Sequence, residues 1–142
     1  MPPDSPLLVF YDEDCGYCRW SVAKLLRFDR DRRLRLIAIQ SPEGERLLVA
    51  IPPELRLASA HLIDSDGRLY SGGEAAAPIA AALPSLAPAA PLLRQLSRPV
   101  NAGYNLIAAN REKVGRLVGR SSRQRADRVI AAHQAEFLSE AQ

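Results

Sequence analysis

The sequence predicts an α/β domain built on a four-stranded mixed sheet flanked by helices, with a helical C-terminal extension. Three observations predict it. An apolar run, Leu7 to Tyr11, leads directly into two cysteines and a helical stripe. Two shorter apolar segments flank an Asp-Gly turn, and the C-terminal third keeps its apolar residues at helical spacing.

Leu7, Leu8, Val9, Phe10 and Tyr11 are rich in strand formers and unbroken by polar residues, which reads as a buried strand of a partly parallel sheet. From Cys18 onward Val22, Leu25 and Leu26 fall on one helical face. Ala23, Lys24 and Arg27 between them are good helix formers, so a helix starts near Cys15. Leu34 to Ile39 is the second strand. Ser41, Pro42 and Glu43 then give a helix start with proline at its first position, and that helix runs to about Ala50.

Ala60 to Ile63 and Leu69 to Ser71 flank the polar loop Asp64 to Arg68, whose Asp66-Gly67 pair predicts an antiparallel hairpin. After Gly72 and Gly73, an alanine-rich stretch from Glu74 to Leu83 reads as helix. Pro84, Pro88 and Pro91 then break the chain into a loop. The order βαβαββα is the thioredoxin-like layout, in which the first strand feeds the first helix through the cysteine loop. Beyond it, Tyr104, Ile107, Ala108, Arg111, Val114 and Val118 keep helical spacing, as do Ala126, Val129, Ile130, His133 and Phe137. The expected organisation is a thioredoxin-like domain over 1–96 and a helical extension over 97–142 packed on it.

At 142 residues and 47% hydrophobic content the chain suits one buried core. A net charge of +3 is too small to predict nucleic-acid binding. No apolar run approaches the roughly 18 residues that a membrane span needs. Met1 to Pro6 carries prolines and an acid where a secretory leader has a basic and then an apolar stretch, so a cytoplasmic protein is expected. Two cysteines three residues apart are too few for a structural disulfide framework.

Cys15-Gly16-Tyr17-Cys18 sits between a strand and a helix, where a redox-active disulfide has a physical advantage. The unpaired N–H groups and positive end of the helix stabilise a thiolate on the first cysteine. Cys15 is therefore the candidate nucleophile. Cys18, one turn along and more buried, is the candidate resolving thiol that attacks the mixed disulfide. Gly16 and Tyr17 set the dihedrals of the pair.

Asp12 and Asp14 oppose a thiolate on Cys15. One of them, desolvated near the pair, is a candidate proton acceptor for Cys18, while the plainer reading of Asp14 is an N-cap. Arg19 could offset these acids or be a solvated surface residue. Cys-x-x-Cys also occurs as half of a zinc site, but the only histidines are His61, an ordinary strand residue on its pattern, and His133, on a helix face. No metal and no cofactor is expected. Trp20 lies off the Val22/Leu25 stripe and is free either to pack partially or to touch a partner.

Val9-Phe10-Tyr11-Asp12-Glu13-Asp14-Cys15-Gly16-Tyr17-Cys18 resembles the signature of the DCC family of predicted thiol-disulfide oxidoreductases. Its Asp-x-x-Cys-x-x-Cys motif is matched by Asp12, Cys15 and Cys18. The likeness continues through Ile39-Gln40-Ser41, Asp66-Gly67-Arg68-Leu69-Tyr70, Glu74-Ala75 and Tyr104 with Ile107-Ala108-Ala109-Asn110-Arg111, covering roughly residues 7 to 119. The resemblance implies a thioredoxin-like fold and disulfide exchange with a protein or small-molecule thiol or disulfide. The cis-proline that precedes the third strand in the wider thioredoxin group is replaced by Leu57, Ala58 and Ser59.

Residues 111 to 128 hold seven basic side chains against two acidic ones, a local charge of +5. This reads as a solvated helix face with a loop around Gly119 to Ser122, and as a candidate surface for an acidic partner. It lacks the aromatic interleaving of a nucleic-acid site. Three function classes stay open: an exchange enzyme, a non-catalytic binding or regulatory module on the same scaffold, and a zinc-linked interaction domain.

Overall fold

The computed structural model describes residues 5–140. Residues 1–4 of the Met1 to Pro6 segment, read above as lacking a leader pattern, lie outside the described residues, as do the last two of the expected 97–142 extension.

Strand β1 spans Leu7–Tyr11, followed by helix α1 over Gly16–Leu26 and strand β2 over Leu34–Ala38. The two strands run parallel, with Leu7 opposite Leu34 and Tyr11 opposite Ala38. Ile39, expected inside β2, lies just past its end, although its N–H still donates to the Tyr11 carbonyl at 2.9 Å. Helix α2, Pro42–Leu47, starts where Ser41-Pro42-Glu43 predicts, and the Ser41 hydroxyl accepts the Gly44 N–H at 3.0 Å. It stops short of Ala50, and an unexpected short helix, α3 over Pro53–Arg56, follows a second proline start.

Strands β3, His61–Ile63, and β4, Leu69–Ser71, form the expected antiparallel hairpin, and Gly67 takes the positive φ of +82° in its turn. β3 also pairs antiparallel with β1, so the sheet order is β2-β1-β3-β4. This is the four-stranded mixed sheet with flanking helices of the thioredoxin-like class.

Alternation along β1 divides the core. Leu7, Val9 and Tyr11 face one side with Leu34, Leu36, Leu62 and residues of α1, while Phe10 faces the other with Ile37, Ile39 and Leu48. Both faces are covered, which is why the β1 sequence is a continuous apolar run.

A 3-10 turn at Gly72–Ala75 precedes helix α4, Ala76–Ala82. The proline-broken loop expected next is instead a 3-10 turn at Ala87–Ala89 and helix α5 over Ala90–Gln95. Pro88 and Pro91 sit in the first turns of these elements, where no N–H is needed, so they start helices rather than prevent them. Helices α6, Ser97–Ala109, α7, Arg111–Arg116, and α8, Arg120–Glu140, complete the chain. The loop expected around Gly119 to Ser122 is shorter, because α8 already begins at Arg120.

Close packing and hydrogen bonds hold the late helices against the sheet and α1. Gly73 lies so close to α6 that an added Cβ would stand 2.5 Å from the Asn101 Cα, and its N–H donates to Asn101 Oδ1 at 3.1 Å. On α8, Ala126 and Ile130 are buried against α1, and His133 Nε2 pairs with the Leu34 carbonyl at 2.7 Å. Among the described residues no helix is long and apolar enough to cross a membrane.

Candidate active site

Asp12 follows the C-terminal end of β1, an inner strand of the sheet, and a tight turn carries the chain into α1. Cys15 is the N-cap of that helix, in extended conformation at φ −97° and ψ 112°, and its sulfur accepts the Cys18 N–H at 3.3 Å. The expectation that Asp14 caps α1 is therefore corrected. Asp14 is exposed, and its own N–H is held by Asp12 Oδ1 at 3.0 Å, an Asx turn that leaves the cap position to the sulfur. Both thiols are free and half-buried.

Burial, then the hydrogen bond to Cys15 and the charge on it, push the Cys18 thiol up to about 12. Arg111 opposes this shift, and Asp12 adds to it. Cys18 is thus held as a neutral thiol at neutral pH.

Asp12 is only 9% exposed. Its Oδ1 accepts Gln40 Nε2 at 2.6 Å, and Arg111 Nη2 lies 3.6 Å from Oδ2. Gln40 also receives the Glu13 N–H at 3.2 Å and reaches Asp14 at 3.4 Å, so one side chain after β2 fixes the whole acidic turn. Arg111, the first residue of α7, donates through Nη1 to the Leu57 carbonyl at 2.9 Å and stands 4.0 Å from the Cys18 sulfur. Tyr104 of α6 accepts the Ala60 N–H at 2.7 Å, and burial raises its hydroxyl above the ordinary tyrosine value.

Gln40, Tyr104 and Arg111 carry no chemical pattern in the sequence that marks them for the site. The signal that marks them is the family resemblance, since each lies in a segment that carries it.

Two spaces meet at the pair. An open groove of about 410 Å³ is lined by Cys15, Asp14, Gly16, Arg116 and Arg123, and a cavity of about 290 Å³ is lined by Cys18, Val22, Ala60, Tyr104, Ile107 and Ala108. Asp12, Tyr17 and Arg111 border both. Tyr17 also packs against Trp20, with ring centroids 6.0 Å apart, so Trp20 is partly packed. A larger depression of about 590 Å³ near Tyr70 and Pro78 contains neither cysteine.

Arg19 does not offset Asp12 or Asp14. It pairs with Asp127 at 2.9 Å and donates to the Glu13 carbonyl, tying α1 to α8. His61 is buried and pairs with Ser71 and the Arg56 carbonyl, and His133 is bound to Leu34. Among the described residues no group of three or more His, Cys, Asp or Glu side chains is placed to hold a metal. No cis peptide occurs among them either, so Leu57, Ala58 and Ser59 lead into β3 through trans bonds.

Within the basic segment, Arg111, half-buried, and Arg123, exposed, donate to backbone carbonyls. Lys113, Arg116, Arg120, Arg125 and Arg128 lie along the rest of α7 and α8; all five are exposed, and Arg116 also borders the groove.

No curated protein and no solved structure matches the chain. The family model described as DCC1-like thiol-disulfide oxidoreductase matches residues 9–117, well over half the chain and including both cysteines, Gln40, Tyr104 and Arg111; the chain belongs to this family of thiol-disulfide oxidoreductases.

Proposed function

We propose that the protein exchanges disulfides through its Cys-Gly-Tyr-Cys turn, with Cys15 as nucleophile and Cys18 as resolving thiol. The observation that carries this is the asymmetry of the pair. Cys15 sits at the helix N-terminus, accepts the Cys18 N–H and borders the open groove, whereas Cys18 borders the cavity and is held neutral.

In the reading proposed, the Cys15 thiolate attacks one sulfur of a partner disulfide. The Cys15–partner bond forms, the partner's own S–S bond breaks, and the departing sulfur takes a proton from water. Cys18 then gives its proton to a carboxylate and attacks the Cys15 sulfur; the Cys15–Cys18 bond forms, the Cys15–partner bond breaks, and the partner's second sulfur leaves as a thiolate that takes a proton from water. Two electrons pass from the dithiol to the partner. Of the two carboxylates weighed, burial favours Asp12 over Asp14 as proton acceptor. The Arg111 guanidinium, 4.0 Å from the Cys18 sulfur, favours the thiolate formed in that step. Gly16 and Tyr17 support the pair as the first turn of α1, with Tyr17 dividing groove from cavity.

The same proposal takes residues 1–96 as the thioredoxin-like domain and 97–142 as a helical extension on it. From that extension Arg111 comes within 4.0 Å of the Cys18 sulfur, and Tyr104 lines the cavity that Cys18 borders. A cytoplasmic setting, where dithiols are regenerated, belongs to it as well. The exposed cations between Lys113 and Arg128 suit an acidic partner.

The test is reduction of a peptide disulfide by the reduced protein, with the Cys15–Cys18 potential read in glutathione buffers. Exchange abolished by Cys15→Ser, with a potential within the roughly −270 to −120 mV of known exchange proteins, is the expected result. A partner bound equally well after Cys15→Ser, with no exchange in the wild type, would instead establish a binding module.

A further inference from the structure

Two of the backbone groups that lead into β3 beside the cysteines are already satisfied from within. The Leu57 carbonyl accepts Arg111 Nη1 at 2.9 Å, and the Ala60 N–H donates to the Tyr104 hydroxyl at 2.7 Å. A partner peptide laid against this segment in extended form would have to displace Arg111 to pair with the Leu57 carbonyl and Tyr104 to pair with the Ala60 N–H. Strand pairing at these two groups is thus disfavoured. Of the two spaces next to the reacting sulfurs, the groove at Cys15 is lined mostly by charged and polar residues, and the mainly apolar one is the cavity at Cys18.

Its properties define an occupant. The wall is mainly Val22, Ala60, Ile107, Ala108 and the two tyrosines, Tyr17 and Tyr104, with Ser21 and Ser59 as its uncharged polar members. The two charged side chains at its border, Asp12 and Arg111, lie 3.6 Å apart and neutralise one another, so the space offers no net charge to an ion. At about 290 Å³ it falls just below the roughly 300–1,000 Å³ of sites that take whole small ligands, which suits one large side chain.

Resting on the exchange reading above, we infer that this cavity is a substrate subsite for a large uncharged apolar side chain adjacent to the partner's disulfide cysteine. The substrates are then peptide or protein disulfides flanked by aromatic or large aliphatic residues. Cys15 takes the sulfur at the groove while the neighbouring side chain passes Tyr17 and fills the cavity beside Cys18.

Two homodimeric disulfides test this, one of N-acetyl-phenylalanyl-cysteine amide and one of N-acetyl-glycyl-cysteine amide. The quantity read is the ratio of their second-order rate constants with the reduced protein, in which a general loss of activity cancels. The wild type should prefer the phenylalanyl disulfide about tenfold or more, as burial of one large apolar side chain implies. Ala108→Phe, which fills the cavity, should bring the ratio close to one. If that variant does not fold, Ile107→Ser at the rim should lower the ratio on its own. A wild-type ratio near one, or a preference that survives these variants, overturns the subsite while leaving exchange at Cys15 intact. Absence of exchange with both disulfides, alike in wild type and Cys15→Ser, is a failure of the exchange reading itself.

Discussion

Arg111 Nη1 stands 4.0 Å from the sulfur of Cys18, 93 residues earlier in the chain. The same guanidinium lies 3.6 Å from Asp12 and is fixed by the Leu57 carbonyl. Its position therefore follows from the fold of α7 rather than from a freely moving surface side chain.

Removing that cation should slow the resolving step. Arg111→Met is expected to prolong the Cys15–partner mixed disulfide by about tenfold, the effect of one unit in the acidity of Cys18. Arg111→Lys should recover part of the loss. Quenched-flow mass spectrometry of the adduct checks this, with the initial attack by Cys15 followed separately.

Asp12 makes a different prediction, in the pH profile. With a neighbouring carboxylate accepting the Cys18 proton, the resolving rate should depend less on pH than the raised value of the Cys18 thiol alone would dictate. In Asp12→Asn it should fall by about a hundredfold and rise about tenfold per pH unit, because hydroxide must then take the proton. Asp14→Asn, at an exposed position, should leave the wild-type profile in place.

The contact between Gly73 and α6 should be a stability determinant. Gly73→Ala drives a methyl into the Asn101 backbone, and overpacking of this kind costs about 1–3 kcal/mol. Urea unfolding measures it. Tyr104→Phe, which leaves the Ala60 N–H without its acceptor, should cost about 1–3 kcal/mol by the same measurement.

His61 gives the fold an acid sensitivity. Burial holds its ring below the ordinary value of 6.5, so it is neutral in the folded protein while the unfolded chain takes up a proton near that pH. The resulting stabilisation is fully present above about 6.5 and is lost as pH falls through the folded value. The urea midpoint should decline below about pH 6.5 in the wild type, and less steeply in His61→Gln.

Much of this architecture is legible because it is local. The β1 run, the Ser41-Pro42 helix start and the Asp66-Gly67 turn each announce themselves within a few residues, and the structure has them where the sequence puts them. Pro88 and Pro91 mislead because a proline reads equally as a breaker and as the first turn of a new helix. Asp14 misleads for a related reason. It has the right chemistry for a cap, but Asp12 captures its N–H and the helix begins one residue later, on the sulfur. Arg19 stands near the acids in sequence, yet its partner Asp127 is 108 residues away. Arg111 and Tyr104 have no local pattern that marks them as site residues, since only the packing of α6 and α7 brings them to the cysteines.

The most direct test of the division of labour is to trap the intermediate. Reduced Cys18→Ser protein is mixed with a peptide disulfide near pH 7 and the adduct is mapped by mass spectrometry, with Cys15→Ser run in parallel. A stable adduct on Cys15 in the first variant, and none on Cys18 in the second, is the predicted result. An adduct that forms as readily on Cys18 of the Cys15→Ser protein, or no adduct in either, would contradict the assignment of Cys15 as nucleophile and Cys18 as resolving thiol.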